Sequence, residues 1–173
     1  SVARSYVQLV ADRLHEEVPQ GFRILNLSRS GARLGDVLET QLPALASVPN
    51  SVIGGICTVG SNDLVRSGRL RQTRRRFTAV LESLPTGIVM ATIPDAKSVT
   101  AKTMNRHLRS EAERLGQPIA DVAAALTSWR GLMAGDGFHP NDAGHRLWAR
   151  TITTALLEQR CAVRQIVAHN GEF

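Results

Sequence analysis

At 173 residues, 43% of them hydrophobic, the chain has the size of one domain with a sizeable core. Its net charge of +6 rests almost wholly on arginine, the lysines being Lys97 and Lys102, and charge alone is weak support for a nucleic-acid partner. No stretch approaches the length of a membrane span and the first residues lack the charged-then-apolar layout of a signal peptide, so a soluble protein is expected, cytoplasmic or secreted.

Tyr6, Val10 and Leu14 recur at four-residue spacing, which predicts a helix over 2–17 ended by Pro19. "FRILNLS" (22–28) reads as a short strand closed by "RSGA", and Leu34, Val37, Leu38, Leu42 and Leu45 mark a second helix despite Pro43. "SVIGGICTVG" (51–60) is a near-continuous apolar strand of the kind buried on both faces, followed by a helix lined by Phe77, Val80, Leu81 and Leu84. "GIVMATIP" (87–94) gives a third strand, and Met104, Leu108, Ala112 and Leu115 a helix stopped at Gly116. "PIADVAAAL" (118–126) grades from a fourth strand into helix, and Leu147, Trp148, Ile152, Ala155 and Leu156 define the last helix.

Strands alternating with helices of this length predict a three-layer α/β/α sandwich with a parallel sheet, because each parallel crossover needs a helix-length return. Residues 1–160 are expected to form one domain, with 161–173 a tail or an extra strand suggested by the β-branched content of "AVRQIVAHNGEF". Cys57 and Cys161 are far apart and show neither a disulfide framework nor metal-ligand spacing.

Chemistry in such sheets sits at the carboxyl ends of the strands, which singles out three turns. In "VGSNDL" (59–64), Gly60 permits a sharp turn from which Asn62 can offer a neutral amide donor to developing negative charge, although Asn62 and Asp63 could equally cap a helix. In "NLSRSGA" (26–32), Gly31 could offer its backbone N–H to the same anion. In "DGFHP" (136–140), Asp136 can hold one nitrogen of His139 so that the other accepts a proton, while the bland reading is a turn that starts a helix.

Taken in order, Gly31, "GSND" and "DGFHP" resemble the SGNH hydrolases, also called the GDSL family of esterases and lipases. The resemblance covers roughly residues 5–158 and includes "SYVQLVADRL", "QLPAL" and "HPNDAGHRLWA". It implies that Asn62 and Gly31 are oxyanion-hole donors, that His139 is the general base and Asp136 its orienter, that the substrate is a small-molecule ester, and that no cofactor or metal is needed. The family's first block, a buried strand ending in Gly-Asp-Ser, has no counterpart in this sequence. Ser1 stands only five residues before Tyr6 with no strand ahead of it and is disfavoured, and Ser28 and Ser30 read as loop residues. Three explanations stand open: an N-terminal piece outside the given sequence, a non-catalytic relative, or another segment in the strand's place.

The expected function is a serine esterase acting through an acyl-enzyme, with a non-catalytic binding module as the alternative. "RSGRLRQTRRR" (66–76) precedes an apolar helical face and has little aromatic interleaving, so it reads as a solvated helix end and no nucleic-acid partner is expected. His145 could pair with His139 on a metal only if Pro140 did not break the helix between them. His15, His107 and His169 read as surface residues, Asp63 and Asp95 as caps or site-mouth residues, and the oligomeric state is not legible.

Overall fold

The computed structural model describes residues 4–18, 21–48, 54–66, 70–94, 98–126, 128–137 and 139–169, with backbone only at Arg66 and from 160 onward. Ser1, Asp95 and Phe138 lie outside these residues.

The chain opens on α1 (Tyr6–Glu17), where Ser5 accepts from the Gln8 N–H and the Gln8 side chain accepts from the Ser5 N–H, a reciprocal cap. A compact helical stretch follows: α2 (Leu34–Asp36), a π-helical turn (Val37–Gln41) and α3 (Leu42–Ala46). The wide turn falls just before Pro43, which has no N–H and whose ring would clash with the carbonyl four residues back in a regular helix. Then come β1 (Gly55–Cys57), α4 (Ser61–Arg66), α5 (Leu70–Ser83), β2 (Ile88–Ala91), α6 (Val99–Leu115), β3 (Ile119–Ala120), α7 (Val122–Ala125) and α8 (Asp142–His169). Gly116, at φ 65°, ends α6 in the left-handed conformation that glycine adopts without a Cβ penalty.

The strands form one parallel sheet in the order β1-β2-β3. Cys57 pairs with Met90, and Met90 in turn with Ile119. Alternation along β2 divides the core: Ile88 and Met90 face a cluster with Phe77, Leu81, Met104 and Leu108, while Val89 and Ala91 face one with Val10, Ile152 and Leu156. One helical layer is therefore α5 and α6 with α2, the other α1 and α8. This is the three-layer α/β/α sandwich that the alternation of strands and helices predicts. Leu108 is fully buried, and its truncation to Ala costs about 2–5 kcal/mol in lost contacts and cavity.

Two expected strands are absent from it. Residues 22–28 form no strand and do not pair in the sheet, Ile24 and Leu25 being 52% and 54% exposed. Apolar content makes a strand only where a neighbour completes the ladder, and among the described residues 22–28 meets none. Of the two alternatives for 161–173, a tail or an extra strand, no strand forms as far as His169: α8 continues unbroken to that residue, because no Pro or Gly interrupts 146–169 and a residue already in a helix extends it at the cost of one further residue fixed.

At the carboxyl ends of β2 and β3, Asp121 receives two bonds of 2.8 Å from Arg109, one of 3.0 Å from the Thr92 hydroxyl and one of 3.1 Å from the Ala124 N–H. Burial works to raise its carboxyl, but these donors outweigh that and hold it below the ordinary value. The network fixes the start of α7, from which the chain runs towards the "DGFHP" turn.

Candidate active site

The first half of the site grows from the end of β1. Gly60 sits at φ 114°, and a Cβ there would stand 2.3 Å from the Phe77 ring, so the chain can turn off the sheet against Phe77 only with glycine at this position. The turn delivers Asn62 and Asp63 into α4, and both reach back to the turn after residues 22–28. Asn62 Nδ2 donates to the Ala32 carbonyl at 3.0 Å, and Asp63 Oδ2 accepts the Leu34 N–H at 3.0 Å. Ala32 N–H closes the turn on the Arg29 carbonyl at 3.1 Å, and Asp36 accepts the Arg33 N–H at 2.8 Å. Gly31 stands at the tip at φ 76°, exposed, and its N–H meets no acceptor among the described residues.

Asn62 is thus held to the residue after Gly31, and Asp63 to Leu34, three residues after that glycine. An amide carries two N–H donors, so the bond to Ala32 fixes the Asn62 group while leaving a second donor. Asp63 is 3% exposed, and burial pushes its carboxyl above the ordinary value against the pull of the Leu34 N–H and the Arg76 and Arg33 charges. Leu34 is the first residue of α2, so Asp63 caps a helix other than its own and ties the two together.

The second half is the turn before α8. Asp136 accepts the His139 backbone N–H at 2.9 Å through Oδ1 and meets His139 Nδ1 at 2.7 Å through Oδ2. One carboxylate so fixes both the main chain and the ring of the histidine three residues on. With the Nδ1 proton on the carboxylate side, Nε2 is the nitrogen that can accept a proton. The pair is open to solvent, the side chains being 69% exposed for His139 and 51% for Asp136.

Tyr6 joins the two halves. Its hydroxyl lies 2.8 Å from Thr58 Oγ1, two residues before Gly60, and its N–H donates to Nδ1 of His145, six residues after His139. The Tyr6 ring stacks on His145 and leans on Trp148. His145, at the start of the last helix as its sequence position implies, thereby also anchors that helix to α1, a role that the second imidazole of "HPNDAGH" signals only by its presence. Among the described residues no group of three or more His, Cys, Asp and Glu side chains is arranged to hold a metal ion. Of the arginine-rich stretch, Arg71, Arg74 and Arg75 lie exposed on α5, and Arg76 faces Asp63 closely enough to pull on its charge. No helix of the described residues is long and apolar enough to cross a membrane.

The sequence matches the GDSL-like Lipase/Acylhydrolase family over residues 1–147. The chain belongs to that family. Its fold is shared with solved structures at low identity. One is TesA, with a TM-score of 0.74 and 20% identity over 90% of this chain and 88% of that one. Another is Axe2, an acetylxylan esterase from Geobacillus stearothermophilus, with a TM-score of 0.68 and 22% identity over 88% of this chain and 81% of that one. A third is LAE5, an alpha/beta hydrolase enzyme from the metagenome of Lake Arreo, Spain, with a TM-score of 0.64 and 21% identity over the same 88% and 81%. No match was found among the curated proteins.

Proposed function

We propose that the protein is a serine esterase that hydrolyses carboxylic esters of small acyl groups through an acyl-enzyme. Asp136 holds His139 in the tautomer whose Nε2 takes the proton from a serine hydroxyl, and the serine Oγ attacks the ester carbonyl. The second Asn62 N–H and the Gly31 N–H receive the carbonyl oxygen as it gains negative charge. The protonated His139 then gives its proton to the departing alcohol as the carbonyl–oxygen bond breaks, and water, activated by the same Nε2, releases the acid and restores the serine. The nucleophile in this reading is a serine outside the described residues.

The observation that carries the reading is the double hold of Asp136 on His139, at 2.9 Å to the backbone and 2.7 Å to the ring. A helix-starting turn needs no carboxylate on the imidazole; a base does. The exposure of His139 favours a second reading, a binding module that keeps the fold without the chemistry. Turnover of short-chain aryl esters by the complete protein, together with labelling by a covalent serine probe, decides between them. Turnover that disappears in His139→Ala supports the esterase, whereas neither labelling nor turnover leaves the binding module.

A further inference from the structure

The helix start beside His139 is built more elaborately than a cap requires. Asn141 Oδ1 accepts the Ala143 and Gly144 N–H groups at 3.0 and 3.1 Å, and its carbonyl accepts the His145 N–H at 2.8 Å, so it starts α8. Ser, Thr or Asp would do that equally well, since capping uses only an acceptor. The Asn141 amide also donates, from Nδ2, to the carbonyls of Gly131 at 3.0 Å and Met133 at 3.1 Å. Only an amide can cap with one atom and donate with the other.

These donor bonds bear on His139 through the backbone. Asn141 N–H donates to the Leu132 carbonyl at 2.9 Å and Ala134 N–H to the His139 carbonyl at 2.8 Å, with Met133 and Pro140 paired as an antiparallel bridge between them. The bridge closes a loop from Ala134 to His139, inside which Asp136 sits and Gly137 N–H returns to the Ala134 carbonyl at 3.0 Å. Gly144 seals the same contact from the helix side: a Cβ there would lie 2.5 Å from the Leu132 carbonyl oxygen and 2.7 Å from Pro140 Cβ. Helix and loop meet with no room for a side chain between them.

We propose that Asn141 is a positioning residue for His139, its amide N–H groups clamping the 131–133 backbone so that the loop carrying Asp136 and His139 has one geometry. The proposal rests on His139 as the base. It acts through the loop and touches no reacting atom.

The test is Asn141→Asp and Asn141→Ser in the complete protein, both of which keep the cap acceptor and remove the two amide N–H donors, Ser keeping a single hydroxyl donor on a shorter side chain; either serves if the other fails to fold. The expected result is a fall in kcat of about 10- to 100-fold on an aryl ester with KM little changed, as displacement of a catalytic group gives. Faster hydrogen exchange at the Ala134 and Asn141 N–H groups, at unchanged exchange in β2 and α6, should accompany it. Wild-type kcat in both variants overturns the proposal, as does unchanged exchange at those two groups. His139→Ala separates this outcome from failure of the esterase reading: if that variant turns over ester like the wild type, His139 is not the base and the positioning role falls with it, whereas an inactive His139→Ala beside a fully active Asn141→Ser removes the clamp alone.

Discussion

Tyr6 and His145 lie ring over ring, with centroids 6.0 Å apart and planes inclined by 12°, and the Tyr6 N–H donates to His145 Nδ1 at 3.2 Å. This contact ties the start of α1 to the first turn of α8. Through the Tyr6 hydroxyl on Thr58 it also ties that turn to the end of β1. The bond requires a free lone pair on Nδ1, so it exists only with the imidazole neutral at that nitrogen.

A pH dependence of stability follows. Burial depresses the His145 value and His139 adds to that, while Asp142 opposes it. A depressed value means that the folded protein resists taking the proton, so stability is fully present above the unfolded histidine value of about 6.5 and falls as pH drops below it towards the folded value. Thermal unfolding should therefore show a lower Tm at pH 5 than at pH 8. His145→Asn, whose amide oxygen can accept in place of Nδ1, should flatten that slope; an unchanged slope assigns it to other groups.

Asp63 behaves in the opposite sense. Its raised carboxyl value means that the folded state favours the neutral form, so its contribution declines as pH rises from the unfolded value of about 3.9 through the folded one. Asp63→Asn can still accept the Leu34 N–H without a buried charge, and is expected to unfold at neutral pH no more easily than the wild type. Asp63→Ala leaves that N–H without its acceptor and should cost about 1–3 kcal/mol in denaturant unfolding. Equal losses in the two variants would show that the charge, not the hydrogen bond, carries the cross-link.

Gly60→Ala meets both a φ of 114° and a Phe77 ring atom 2.3 Å from the new Cβ. Strain and overpacking each cost about 1–3 kcal/mol, and the turn that carries Asn62 should shift with them. Ester turnover is expected to fall along with Tm. A variant as stable as the wild type would mean that the turn does not depend on this contact.

Asn62→Ala should lower kcat by roughly 100- to 1,000-fold if its amide receives the oxyanion, the size of effect seen when one such donor is removed. Loss of the bond to Ala32 would also loosen the Gly31 turn, so Asn62→Asp is the comparison: it keeps the shape of the side chain and removes the donors. Both variants are expected to lose kcat to this extent on aryl esters at similar KM. Full activity in either removes Asn62 from the oxyanion hole.

The layered architecture was legible because buried parallel strands and amphipathic helices write different periods into the sequence, and 51–60, 87–94 and 104–115 keep theirs. Residues 22–28 carry the same apolar content yet lie unpaired, since pairing belongs to the neighbour and not to the segment. The Asp136 and His139 contact could be read from a spacing of three because both residues share one tight turn. Tyr6 with His145 and Asp63 with Leu34 could not, being separated by 139 and 29 positions and joined through backbone N–H groups that no side-chain pattern announces. Asn141 was hidden for another reason: as a helix start it already had a sufficient explanation.

The proposed esterase requires the Gly31 and Asn62 half and the Asp136 and His139 half to serve one reacting centre. A crystal structure of the complete protein bearing a phosphonate adduct on its reactive serine tests it most directly. The expected result is a phosphonyl oxygen about 3 Å from both Asn62 Nδ2 and the Gly31 nitrogen, with His139 Nε2 within hydrogen-bond reach of the modified serine oxygen. An adduct whose oxygen lies away from Asn62, or from which the His139 ring is turned aside, would contradict it.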